Sequence, residues 1–188
     1  FTTKLWNAAK YCEMNDAFPK EGFDPASVKH TVNQWIVAMT AKTAKDIEAG
    51  LEAYKFNEAS NAIYQFTWGM FCDWYLEFTK PLLADGSDAL KAETRATTGW
   101  VLEQILRMLN SFMPYVTEEL YANIVKRADG DHLLTSQWPE YRFEIPHDAL
   151  SEIDWVTKYI STIRSVRSDM NVPAGAKIGL IVQDGNDK

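Results

Sequence analysis

Phe71-Cys72-Asp73-Trp74-Tyr75-Leu76-Glu77, with Lys80-Pro81 just beyond, is the stretch on which the reading of the fold turns. A helix packed on one side needs roughly one large apolar residue per turn on its buried face. Phe71, Trp74, Tyr75 and Phe78 set aromatics around more than one face, so either some of them serve another surface or the helix is buried on two sides of a bundle. Trp74 follows Ile63, Met70 and Phe71 on the core side and is expected to be largely buried.

Outward from this stretch the dominant period is helical. Phe1, Leu5, Ala8, Ala9 and Cys12 keep one face over residues 1–14, and Phe1 already belongs to it, so the chain reads as beginning inside a helix and as a piece of a longer protein. Asp24-Pro25 reads as N-cap and first residue of a second helix reaching about Tyr54. Asn57 is placed to cap a third, which Pro81 is expected to stop. Asp88 is placed to cap a fourth, running through Trp100, Leu102, Ile105 and Leu109 to Phe112. Pro114 opens a fifth to about Arg127, and a sixth spans about Ala149 to Met170 before Pro173 and Gly175. Lys177-Ile178-Gly179-Leu180-Ile181-Val182 reads as a short strand ahead of the Asp184-Gly185 turn. The expected fold is all-α, a bundle of about six helices over residues 1–173, with residues 174–188 opening a following α/β segment.

Composition is globular, with 46% hydrophobic and 24% charged residues. No apolar run approaches membrane-spanning length. Cys12 and Cys72 have no paired spacing and fall on apolar helix faces, which fits a reduced, cytoplasmic setting. A net charge of -7 speaks mildly against a nucleic-acid partner, but its distribution is uneven. Lys4, Asn7, Lys10 and Tyr11 fall opposite Leu5, Ala8, Ala9 and Cys12, a strip of cations, amide and aromatic that suits phosphates, base edges and stacking. The same pattern also suits a solvated face with Tyr11 covering a core edge. Lys158, Arg164 and Arg167 make the sixth helix locally basic, which again fits either an RNA surface or a charged outer face.

Catalytic chemistry is sparse. There is no Gly-rich phosphate loop, and His30, His132 and His147 are scattered. Glu144-Ile145-Pro146-His147 has a di-iron spacing, but Pro146 interrupts it and no second copy exists. Asp73 and Glu77 stand four apart, as an acid–base pair or a solvated edge, with no nucleophile beside them. No metal ligand set and no catalytic residue is assigned.

Lys4-Leu5-Trp6-Asn7-Ala8-Ala9-Lys10-Tyr11, the Phe71 to Pro81 segment, Phe112-Met113-Pro114-Tyr115 and Arg164 to Pro173 together resemble the anticodon-binding region of the valyl-tRNA synthetase family, class I ligases that charge tRNA with valine. The resemblance covers essentially the whole chain. It implies that Lys4, Lys10 and Tyr11 contact the anticodon loop, with Tyr11 stacking on a base and Leu76 lying across from it on the central helix. Relatives often carry Phe and Arg where this chain has Tyr11 and Lys10; stacking survives that exchange, whereas a bidentate contact does not. The ATP-binding signatures His-x-Gly-His and Lys-Met-Ser-Lys-Ser are absent from this chain. The implied parent uses ATP and Mg in a catalytic domain outside it, and this chain, with no cofactor of its own, holds the anticodon stem-loop of tRNA-Val beside the rest of the synthetase. The alternative reading is a helical protein-interaction module that docks a partner helix in an aromatic groove.

Overall fold

Leu5, Ala8, Ala9 and Cys12 form the buried face of α1 (Thr2–Met14) in a computed structural model that describes residues 1–125, 130–141, 143, 147–173 and 175–181. The chain divides into two compact units, Phe1–Ile153 and Asp154–Lys188. Among the described residues every regular element is helical.

In the first unit, α1 ends where the Ala17 N–H returns to the Cys12 carbonyl (2.8 Å) across Asp16, whose φ is +55°. The connection that follows lies against α5 (Asp88–Asn110): Arg95 Nε donates to the Asn15 carbonyl at 2.9 Å. At Gly99 the two backbones touch so closely that a Cβ would lie 2.3 Å from the Phe18 carbonyl carbon. Asp24 caps as expected, accepting from the Ala26 N–H at 2.9 Å, but what it caps is a single 3-10 turn, Pro25–Ser27. The second helix, α2 (Thr31–Glu52), starts later because better caps lie there. His30 Nδ1 accepts from the Val32 N–H, and the Glu93 carboxylate takes the N–H groups of Lys29 and His30.

One continuous helix follows, α3 (Phe56–Gln65), a π-helical stretch Phe66–Tyr75, and α4 (Leu76–Asp85). The π-stretch accounts for the crowded aromatics. Its buried residues, Phe66, Thr67, Phe71, Cys72 and Tyr75, recur at four to five positions rather than at 3.6, as i→i+5 bonding requires. That widening puts Phe71 and Tyr75 inside together, their rings 5.9 Å apart, and leaves Trp74 only partly buried against Phe78. The expectation that Trp74 is largely buried is corrected accordingly; Phe71 and Tyr75, both 0% exposed, hold the core positions. Pro81 does not stop the helix: its ring faces solvent, and Leu82 and Leu83 continue half-buried beyond it.

Two expected caps move by a residue or two. Ser87, not Asp88, caps α5 by accepting from the Leu90 N–H, and α3 begins after Lys55, with no side-chain cap from Asn57. Pro114 opens α6 (Pro114–Val125) as expected. The core joins α1, α2, the π-stretch, α5 and α6 through Leu5, Ile36, Ile63, Phe71, Leu106 and Leu120. Within it Tyr75 Oη donates to Asn33 Oδ1 at 2.9 Å and contacts Thr98 Oγ1 at 3.2 Å, and Asn33 Nδ2 donates to Glu93. Buried polar groups are thus paired rather than stranded.

The seventh helix, α7 (His147–Asp169), buries Ala149 and Ile153 in the first unit. In the second unit its last turn is tied to the exit: Arg167 donates to the carbonyls of Pro173 and Ala176, both at 2.9 Å, across Asn171 at φ +53°. The strand expected at 177–182 is not present over the described part. Lys177–Ile181 are irregular, with Ile178, Leu180 and Ile181 exposed, because a strand needs a hydrogen-bonded neighbour and no described segment provides one. Val182 and the 184–185 turn lie outside the described residues, as does the 144–146 part of the di-iron spacing.

Candidate nucleic-acid interface

The strip read from the sequence of α1 splits in two. Lys4, Asn7 and Tyr11 share one side of the helix, three and four residues apart, facing the π-stretch and α4. Lys10 is exposed on the other flank, where it lines a groove of about 270 Å³ with Trp6, Glu13 and residues of α6. Asn7 is exposed between the two.

Lys4 is the best-anchored member. Its Nζ lies 2.6 Å from Asp73 Oδ1, and the two side chains remain 36% and 43% exposed. It also lies 5.1 Å over the Trp68 ring, which stacks on Tyr64 at 5.9 Å. The bond to Asp73 raises the lysine pKa, so Lys4 stays charged throughout the physiological range. Tyr11 is half-buried. Thr79 gives its hydroxyl proton to the Leu76 carbonyl (2.8 Å), so Tyr11 Oη is the donor in its 2.8 Å bond to Thr79. Burial pushes the phenol pKa up.

Leu76 is not brought to this surface. At 6% exposed it belongs to the core, and its carbonyl, rather than its side chain, supports Tyr11 through Thr79. Arg164 is exposed on α7, and Arg167 is committed to the exit carbonyls; both lie in the second unit. Asp73 and Glu77 do not face each other as acid and base, since Asp73 pairs with Lys4 and Glu77 with Lys80 at 2.7 Å. Among the described residues no group of three or more His, Cys, Asp or Glu is placed to hold a metal ion. Nor does any described helix have the length and apolarity to cross a membrane.

Sequence reasoning missed Asp73 as the partner of Lys4, along with the Tyr64–Trp68 stack. A signal was available for the second: between Glu58 and Asp73 the helix carries no charged residue at all, although Asn61, Tyr64 and Gln65 are exposed. An exposed helix face without charge, in a chain this acidic, marks a surface with a purpose beyond solvation.

Residues 33–182 match the family described as the anticodon-binding domain of tRNA ligase. Among curated proteins, the valine–tRNA ligase of Caulobacter vibrioides is 44% identical over 97% of this chain, which covers 20% of that relative. Those of Brucella suis and Ruegeria pomeroyi are each 42% identical, over 99% and 100% of this chain. The chain therefore spans about a fifth of the length of the curated relatives it matches.

Proposed function

The chain belongs to the family of anticodon-binding domains of tRNA ligases, and from that premise we propose that it holds the anticodon stem-loop of tRNA-Val within a valine–tRNA ligase. The observation that carries the reading is the α1 strip: a charged lysine locked in place, an exposed amide one turn on, and a half-buried tyrosine ring after it. Unpaired loop bases are held by such a mixture of stacking, base-edge contacts and phosphate contacts. Lys4, Asn7 and Tyr11 form the central surface, Lys10 and Arg164 add cations at its margins, Arg167 holds the exit segment, and Leu76 backs Tyr11 from the core.

Residues 1–173 are proposed as the anticodon-binding domain and 174–188 as the start of a following segment. ATP and Mg belong to the catalytic part of the parent enzyme, which performs the aminoacylation in the cytoplasm. The chain itself contributes position, holding one end of the tRNA while the reaction proceeds elsewhere.

Gel retention of the chain with a tRNA-Val transcript and with a control tRNA, at two salt concentrations, tests the assignment. Preferential retention of tRNA-Val that weakens with salt is expected. Equal retention of both transcripts would overturn it and favour a protein-docking role for the aromatic surface.

A further inference from the structure

The geometry points to the Lys4–Asp73 pair as a reader of one amino base, adenine or cytosine, in the loop that α1 holds; this inference rests on the anticodon reading above. Nζ and Oδ1 stand 2.6 Å apart with both side chains partly exposed, so the surface offers an N–H donor and an oxygen acceptor side by side. Each group has capacity left over: an ammonium has three N–H bonds and a carboxylate has two oxygens. Adenine and cytosine present a complementary edge, an amino N–H next to a bare ring nitrogen. Guanine and uracil present the reverse, a carbonyl next to a ring N–H. Against a keto base the carboxylate would meet an oxygen and the ammonium an N–H. Such pairing of like with like discriminates strongly, because the groups left unmatched have lost their water.

The pair is held as a reading head should be. Trp68 lies under the ammonium at 5.1 Å, and Asp73 stands on the rigid π-stretch, whose Phe71 and Tyr75 are anchored in the core. Tyr64, 42% exposed and stacked on Trp68, extends an uncharged ring surface beside it, flanked by the exposed amides of Asn61 and Gln65. A splayed base can lie against these rings with its edge toward the pair. Because an exposed ion pair is worth little, opening it by the small amount needed to admit a base is cheap. Valine anticodons share adenine and then cytosine, both amino bases, so either is chemically suitable.

Fluorescence anisotropy with the full chain separates the two sources. The probes are a valine anticodon stem-loop RNA, the same RNA with the shared adenine changed to guanine, and the same RNA with the shared cytosine changed to uracil. In the parent chain one of the two changes is expected to weaken binding by about 5-fold or more, the usual worth of a matched two-bond base contact. Asp73→Asn, whose amide presents either a donor or an acceptor, should bring that one ratio close to unity and leave the other as in the parent. The base whose ratio collapses is the one being read. Unchanged ratios in Asp73→Asn, with helicity and melting as in the parent, would overturn the inference. So would a Lys4→Met variant that loses affinity for all three RNAs by one common factor, since that places the ammonium on a phosphate. A parent chain that binds the valine stem-loop no better than a stem with an unrelated loop defeats the anticodon reading itself, a separate result, and the inference with it.

Discussion

Tyr11 carries two duties that a pair of substitutions separates. Its ring is the aromatic surface of the α1 strip, and its hydroxyl is the donor that ties α1 to Thr79. Tyr11→Ala is expected to weaken stem-loop binding by about 1–3 kcal/mol, the worth of one base stack, as measured by anisotropy. Tyr11→Phe should leave that affinity nearly unchanged and instead lower unfolding stability by about 1 kcal/mol in a urea titration, for one lost hydrogen bond. At Tyr75 the same substitution strips a buried partner from Asn33 and Thr98 and should cost about 1–3 kcal/mol without touching RNA affinity. The common side of Lys4, Asn7 and Tyr11 was legible in the sequence because α1 is a regular helix and periodicity fixes its faces. Asp73 was not, since its meeting with Lys4 joins residues far apart in the chain, and Leu76 went wrong because a face on paper does not say how deep it lies.

Among the elements, the helix from Phe56 to Asp85 shows where local rules hold and where packing overrides them. Its existence was legible from the apolar pattern, and so were the opening of α6 at Pro114 and the capping by Asp24. The π-stretch was not legible, because periodicity analysis assumes 3.6 residues per turn, and the crowding of Phe71, Trp74, Tyr75 and Phe78 is what a wider turn looks like when read at that period. Two helical glycines test the packing directly. At Gly69 an added Cβ would find only Gln65 Oε1 at 3.9 Å, whereas at Gly99 it would strike the Phe18 backbone at 2.3 Å. Gly69→Ala should therefore raise stability by up to about 1 kcal/mol through helix propensity. Gly99→Ala should lower it by about 1–3 kcal/mol, as overpacking does. Chemical denaturation of the two variants side by side would show the opposite signs; a stable Gly99→Ala would mean that the Phe18–Pro19 backbone yields.

For the whole molecule, division of labour predicts an absence of chemistry. Without an ATP-binding signature, the chain should give no valine-dependent ATP–pyrophosphate exchange above a mock preparation. Its stability should also depend on alkaline pH in a definite direction. Burial raises the Cys72 thiol from its ordinary value of 9.0 to about 11, and burial pushes Cys12 and Tyr75 up as well. A group whose folded pKa is raised contributes in full below its unfolded value and loses that contribution as pH climbs through the folded one. Melting temperature should therefore hold steady to about pH 8 and fall as the thiols and then the phenols ionise in the unfolded chain. A flat profile to pH 11 would show these groups to be more open to water than their burial indicates. One arrangement described above also bears on how the chain responds to a protease. The connection from Asn15 to His30 is held by α5 alone at three places: Arg95 at its start, Gly99 beneath Phe18, and Glu93 at its end. When α5 lifts away, all three grips release together and Lys20 and Lys29 become open to trypsin, so the rate of cleavage there is a clock for the undocking of a helix far along the sequence.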